Sequence, residues 1–423
     1  MKKDHNFIIF WLSQSISQLG SALTSFALII WIYTKTDSAL AVSLLTFCSY
    51  LPYIFGSLFS GSLVDKYPKK VLLLISDGVA FLGTLMIVIL LRNNNLQLWH
   101  LYLVNSLTGL MNAIQAPASS IAIRMMVKPD QLSKASGMNS LSSSLQSVIT
   151  PLLAASLSSF IGLERIITID ILTFGFAFTV LLFFIQIPEK KSNERKKNKL
   201  FTGFKEGLTY LRSNKGLWYL IISLALMNFF SRLTYENILP AMILARSNND
   251  QTGLGIVSGI MGLGGIIGSL YVSFFKLPKN PTKVIYLLAA LSFLLGDLTM
   301  GMGRNVYWWG LAGLAASIPI PLINAGSHLL IYQKVKPEIQ GRVLAVRNAI
   351  QYSTIPLGIL LGGVLAEYIY EPFVASNDFF ALLVGTGSGS GMALMFLGTG
   401  IAGTIVSIIG YLKPETRKLS EHP

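Results

Sequence analysis

Apolar residues run along this chain in long stretches, interrupted at intervals by short polar segments rich in turn-forming residues. A helix needs about 20 mainly apolar residues to cross a bilayer, and twelve stretches meet that length. The first six lie at about 7–33, 40–63, 71–91, 99–122, 136–160 and 166–187. The second six lie at about 217–245, 254–275, 283–302, 307–332, 344–368 and 391–412. The breaks carry helix-ending chemistry, as at Tyr67-Pro68, Lys128-Pro129 and Lys336-Pro337. The pattern predicts an all-α membrane protein with twelve transmembrane helices. The opening Met1-Lys2-Lys3, followed by apolar residues from Phe7, has features of a signal peptide, with Ala39-Leu40-Ala41 in the style of a cleavage site. The apolar run to Tyr33 exceeds the roughly 7–15 residues of a signal core, so it reads as an uncleaved first span.

The pattern also repeats at half length. Val127-Lys128-Pro129-Asp130 follows the fourth span and Val335-Lys336-Pro337-Glu338 the tenth, and Lys134 and Arg342 keep the same offset. Between the two sets of six lies a basic stretch with Lys190-Lys191 and Arg195-Lys196-Lys197. The expected organisation is two pseudo-symmetric six-helix bundles, residues 1–188 and 217–412. A cytoplasmic basic linker (189–216) joins them, an external loop occupies about 369–390, and 413–423 forms a cytoplasmic tail. Two related bundles are a transporter architecture, with binding at their interface.

Composition fits this picture. Apolar residues make up 52% and charged residues only 12%, about half the usual share of roughly 25%. A soluble enzyme of this length would need more charge to cover its surface, and a nucleic-acid-binding protein would set its bases on a polar background. The net charge of +14 is instead a topology signal. With the N-terminus inside, 27 of the 33 Lys and Arg fall on the cytoplasmic side, Arg347 being counted there as part of the flank between spans 10 and 11. Five fall outside (Lys35, Arg92, Arg165, Arg246 and Arg304), and only Arg232 falls within a span. The positive-inside rule then places both termini in the cytoplasm. One cysteine, Cys48, excludes an internal disulfide, and four scattered histidines offer no metal cluster. A phosphate-binding glycine loop and an H-E-x-x-H pair are both missing, so neither a nucleotide-driven pump nor a metalloenzyme is indicated. A separate ATPase chain is not indicated either.

Between spans 2 and 3 the chain reads Gly61-Ser62-Leu63-Val64-Asp65-Lys66-Tyr67-Pro68-Lys69-Lys70. This resembles the signature of the major facilitator superfamily, G-x-L-x-D-r-x-G-r-k, with Pro68 in place of the second glycine. Gly61 suits close helix contact, Asp65 suits a cap on a neighbouring helix N-terminus, and Lys66, Lys69 and Lys70 face an anionic membrane surface. The resemblance makes this stretch a gating motif. Span 5 resembles the superfamily's antiporter motif in Gly137, Thr150, Pro151, Ala154 and Ala155, although two of its glycines are replaced. Within the superfamily the chain resembles the macrolide-efflux and siderophore-exporter group. Phe10-Trp11-Leu12-Ser13-Gln14, Thr36-Asp37-Ser38-Ala39, Gln115-Ala116-Pro117-Ala118, and Asp170 with Phe174 carry that likeness. The arginine found in span 4 of many proton-coupled relatives is missing: Asn105 stands there, and Arg124 comes only at the cytoplasmic end.

Ionisable groups within a span are costly and usually functional. Arg232 and Glu236 are four residues apart, close enough to pair on one helix face with Asn228 and Tyr235, and protonation of Glu236 would free Arg232. Asp170, early in span 6, joins them as a proton-coupling candidate. Asp77 is expected to tie span 3 to the motif between spans 2 and 3, and Asp297 to be a packing or interfacial group, because span 9 is peripheral in the superfamily's fold. The substrate cavity draws on Gln14, Gln18, Asn112, Gln115, Gln146, Asn228, Phe229, Asn324 and His328. Amides and aromatics with a single inward cation, Arg232, suit a large amphipathic molecule better than a small anion. The expected function is proton-driven efflux, with no cofactor, by rocking of one bundle against the other. A macrolide-type antibiotic or other drug comes first as cargo and a siderophore second. The different-class alternative is a membrane sensor or scaffold that retains the fold. The resemblance places the chain in a bacterial cell membrane, with the lipid bilayer and a small-molecule substrate as its partners, acting as a monomer with no nucleic-acid partner.

Overall fold

The structure, a computed structural model, describes residues 2–128, 131–188, 200–275 and 280–420. Among these residues the regular structure is helical throughout. The chain divides into two compact units, Met1–Asn193 and Glu194–Pro423.

The first unit contains α1 (Lys2–Thr36), α2 (Ala39–Lys66), α3 (Lys69–Arg92), α4 (Leu98–Met126) and α5 (Leu132–Thr179), the last running on as a π-helical turn, Val180–Phe184. Spans 5 and 6 join almost without a loop. Gly162 has φ 76°, which a side chain would resist, and the chain turns back there within the range assigned to α5. In lipid there is little hydrophobic drive between helices, so close approach of small residues has to supply packing. Gly109 of α4 is pressed onto the backbone of Ser49 in α2, where a methyl group has no room. Phe10, Leu73, Ala118, Met126 and Leu181 form a core shared by α1, α3, α4 and the π turn.

The second unit opens with α6 (Leu200–Ser213) and α7 (Lys215–Thr234), then α8 (Ile238–Arg246) and α9 (Gln251–Phe274). α10 (Pro281–Leu291) passes through a π-helical stretch, Ser292–Asp297, into α11 (Leu298–Met302). α12 (Val306–Ser317), α13 (Pro319–Lys334) and α14 (Pro337–Leu365) follow. α15 (Glu371–Ala375), α16 (Asp378–Val384), α17 (Ser390–Leu412) and α18 (Pro414–Arg417) complete it. Leu217, Leu220, Ile221, Ile285, Leu330, Ile331, Val343 and Val346 form the core.

Among the described residues, ten helices are long and apolar enough to cross a membrane. One of them, Lys134–Phe184, contains both spans flanking Gly162. α4, 29 residues long, is diluted by Asn105, Asn112, Gln115 and its serines and stands outside the ten. Counting it and dividing the long helix gives the twelve-helix arrangement. Phe160 is 85% exposed and Phe183 73%, an arrangement suited to lipid and not to water.

Three expectations about boundaries change. Residues 200–213, expected as linker, form α6; it is tied to the rest of the unit by a Glu206–Arg342 ion pair and by the Tyr210 hydroxyl donating to Lys334 O at 3.1 Å. The basic run 189–199 lies outside the described residues. The stretch 369–390, expected as an external loop, is largely helical, as α15 and α16. Arg246 Nη2 donates to Val384 O at 2.6 Å, at the C-terminus of α16 where a cation is favoured, and Glu371 Oε1 accepts from Met392 N at 3.0 Å. Span 7 is broken: residues 235–237 form a turn between α7 and α8. The half-length repeat has a structural counterpart. Val127 N bonds Ile123 O and Val335 N bonds Ile331 O, each at 3.0 Å, closing α4 and α13 in the same way with an extended residue.

Candidate functional site

A cavity of about 710 Å³ lies within the second unit. Its walls come from α7, α9, α10 with its π stretch, α12, α13 and α14, and they mix aliphatic residues with a dense polar set. Asn228, Asn324 and His328, expected to line a cavity, do so. Asn228 Nδ2 is also engaged, donating to Thr354 Oγ1 at 2.7 Å and to Gln351 O at 3.1 Å. Phe229 faces elsewhere. It lines a separate space of about 320 Å³ with Phe230, Leu233 and Met395 and meets Phe230 edge-on at 5.6 Å.

Arg232 and Glu236 form a direct ion pair in the wall of the larger cavity, each side chain 29% exposed. The expectation of one continuous helix face needs correction. Arg232 lies in the last turn of α7 and Glu236 in the break before α8, so the pair spans the point where the helix stops. A broken membrane helix is tolerated where it lines a polar cavity, because its freed backbone groups find partners there.

Asp297, expected as a packing or interfacial group, does join helices and also borders the cavity. It ends the π-helical stretch, is 1% exposed and lies in the wall of this cavity. Its Oδ1 accepts from Tyr235 Oη at 2.7 Å and its Oδ2 from Thr399 Oγ1 at 2.7 Å, joining the end of α7 to α17. The π turn offers a physical reason, since one extra residue per turn redirects a side chain. Arg347 is the residue that sequence reasoning missed. Counted with a cytoplasmic flank, it is 4% exposed in the cavity wall, with Nη1 at 3.2 Å from His328 Nε2. The signal that would have found it is a polar stripe: Arg347, Asn348, Gln351 and Tyr352 recur at helical spacing, and all four line the cavity. Two arginines therefore face the cavity, where one was expected.

The first unit treats its polar groups differently. Asp77 does not reach toward the motif between α2 and α3. Its carboxylate accepts from Gln115 Nε2 at 2.6 Å and Gln14 Nε2 at 3.4 Å, linking α3 to α4 and α1. Two expected cavity amides are thereby held in an internal polar knot. Gln18 and Asn112 are exposed and Gln146 half-buried. Asp170 is 1% exposed and accepts from Ser21 Oγ at 3.2 Å. It belongs to the packing of α1 against the second half of α5, apart from Arg232 and Glu236 in the other unit.

The sequence profile of the Major Facilitator Superfamily matches residues 10–359. The chain belongs to the major facilitator superfamily. It is 26% identical over 373 residues to macrolide efflux protein A of Streptococcus pyogenes, covering 86% of this chain and 90% of that protein. It is 25% identical over 370 residues to the MFS-type transporter YfiS of Bacillus subtilis, covering 84% and 86%. Among solved structures, a variant of nucleoside transporter NupG superposes with a TM-score of 0.73 at 12% identity, over 96% of this chain and 99% of that one. A bacterial homologue of the iron transporter ferroportin gives 0.69 at 15%, over 97% and 99%. These superpositions show the shared fold. The relatives are transporters, and this superfamily chain is a multi-pass membrane transporter and not an enzyme.

The superfamily motif lies where α2 passes into α3, with altered roles for its residues. Lys70 Nζ donates to Leu182 O and Ile185 O, both at 2.9 Å, and closes the C-terminal end of the π turn. Lys66 lies over the Tyr67 ring at 5.2 Å, and Lys69 is half-buried. Asp65 is exposed, and Pro68, which precedes α3, supplies no side-chain cap. A Cβ on Gly61 or Gly137 would meet nothing within 4 Å among the described residues, so neither glycine supports close packing inside its unit. The small pair of the span 5 motif does pack. Ala154 and Ala155 are fully buried, three and four residues after Pro151, and Thr150 is 7% exposed.

Proposed function

We propose that the chain exports an amphipathic small molecule from the cytoplasm by alternating access, coupled to the proton gradient, with both termini cytoplasmic. The observation that carries this reading is the cavity of about 710 Å³, whose wall holds the Arg232–Glu236 pair among aliphatic residues and a dense set of polar side chains. Such a cavity has the volume and mixed lining of a drug-sized site. Similarity to macrolide efflux protein A supports the outward direction and makes a macrolide-type antibiotic the first cargo to test.

Proton coupling follows from the break in α7. With Glu236 ionised, the pair neutralises Arg232. A proton on Glu236 cancels its charge and releases the arginine, whose charge then has to find another partner. Because the pair spans the junction of α7 and α8, a change in its charge acts on the backbone where the helix is least constrained. The decisive experiment uses everted membrane vesicles containing the full chain. Erythromycin uptake that depends on an imposed proton gradient, and that an uncoupler abolishes, is the expected result. Uptake indifferent to the gradient would overturn the coupling, and no uptake across a panel of amphipathic drugs would overturn the export reading.

A further inference from the structure

Arginine donates hydrogen bonds and never accepts them. The 3.2 Å contact between Arg347 Nη1 and His328 Nε2 therefore makes that ring nitrogen the acceptor and puts the imidazole proton on Nδ1. Neither Arg347 Nε nor His328 Nδ1 has a hydrogen-bond partner among the described residues. The ion pairs found there are Arg92–Glu164, Arg232–Glu236 and Arg342–Glu206, and Arg347 belongs to none of them. A nearly buried cation is costly unless an anion or a full set of acceptors meets it. Water can satisfy a neutral donor, but it leaves the charge uncompensated.

The rest of the cavity's charge lies at its other end. Gly358 of α14 packs against Arg232, and from residue 347 to residue 358 the helix rises about 16 Å. Arg347 and His328 thus hold one end of the cavity, while Arg232, Glu236 and Asp297 hold the other, with Ile320, Ile323 and Ile355 also lining the space.

We infer that Arg347 and His328 form a head-group subsite for an amphipathic acid. The carboxylate, sulfonate or similar anion of the cargo meets the guanidinium, and its apolar body lies along the isoleucines. This rests on the transport reading above and moves the cargo from neutral or cationic drugs toward acids. Arginine suits the role because its planar fork matches a carboxylate and its charge is permanent.

The test uses the purified full chain in detergent, with 4-(biphenyl-4-yl)butyrate and its isosteric amide as probes, read by thermal unfolding and tryptophan fluorescence. The acid is expected to bind wild type about tenfold more tightly than the amide. Arg347→Gln abolishes that preference, and Arg347→Lys keeps part of it. Without ligand, Arg347→Gln unfolds at or above the wild-type midpoint, because it removes an unpaired buried charge while keeping a donor for His328. Equal binding of acid and amide to wild type overturns the subsite, as does an acid preference that survives in Arg347→Gln. A lower unliganded midpoint for Arg347→Gln makes the arginine structural and overturns it too. Erythromycin uptake by everted vesicles separates the two readings. Gradient-driven uptake without acid preference sinks the acid subsite alone, and its absence with acid preference intact sinks the erythromycin export reading alone.

Discussion

In the first unit Asp77 is held by Gln14 and Gln115, and Asp170 accepts from Ser21. In the second unit Glu236 and Asp297 stand in the wall of a cavity that also holds Arg232 and Arg347. Both units bury carboxylates in an apolar interior, where an unpartnered charge is expensive. The first answers each with side-chain amides or hydroxyls, which leave the group no ionic partner to release. The second answers Asp297 with hydroxyls too, from Tyr235 and Thr399, but it answers Glu236 with a cation and leaves Arg347 outside any described ion pair. A hydrogen-bonded carboxylate among neutral donors is a structural tie. A charge paired with another charge across a helix break can change partners, and that is what a carrier with two states requires.

The largest expected effect tests this contrast directly. Glu236→Gln removes the ionisable group and keeps an oxygen for Arg232 to donate to. Proton-driven uptake in everted vesicles is expected to fall to background, while protein yield and the unfolding midpoint in detergent stay near wild type. Full active transport by this variant would end the division between a working unit and a static one.

A smaller effect, of a different kind, is expected in the first unit. Asp77→Ala leaves the buried amide of Gln14 and the half-buried amide of Gln115 without their acceptor. Hydrogen bonds to charged groups contribute roughly 1.5–3 kcal/mol each, and losing the pair should destabilise the first unit by about 2–4 kcal/mol after partial relaxation. Asp77→Asn, which can still accept from one amide, should cost less. Unfolding in detergent measures the loss, and transport per folded molecule should remain. A stable Asp77→Ala protein that no longer transports would move the chemistry into the first unit.

The sequence exposed the architecture because a bilayer demands it. Twenty apolar residues, basic flanks and prolines at the breaks are requirements of the solvent, and they marked all twelve spans, the polar-diluted fourth included. The Val127 and Val335 helix ends could be matched from the repeat. The site was less legible. Arg232 and Glu236 were visible because an i, i+4 charge pair stands out in an apolar run. Arg347 was hidden because five residues away Arg342 does belong to the flank, and charge counting cannot see where along a helix the membrane begins. That Asp297 borders the cavity was not legible, because the π stretch before it leaves no mark in hydropathy. Gln14 and Gln115 were taken as free amides because Asp77, their acceptor, is 63 and 38 residues away in the chain.

The smallest effect belongs to an ion pair made of the same two side chains in a different setting. Arg92 Nε meets Glu164 Oε1 at 2.8 Å, with the side chains 60% and 46% exposed, against 29% each for Arg232 and Glu236. Solvent screens an exposed pair, and holding two long side chains in place costs entropy, so such pairs contribute roughly 0–1 kcal/mol. Glu164→Gln should therefore shift the unfolding midpoint only slightly and leave gradient-driven uptake unchanged. It makes the same chemical change as Glu236→Gln, carboxylate to amide opposite an arginine, and differs from it only in place. If the two substitutions reduced transport alike, loss of an Arg–Glu pair anywhere would be the cause, and the cavity would have no special claim on the proton. If only Glu236→Gln does so, the effect belongs to the helix break and the cavity it borders.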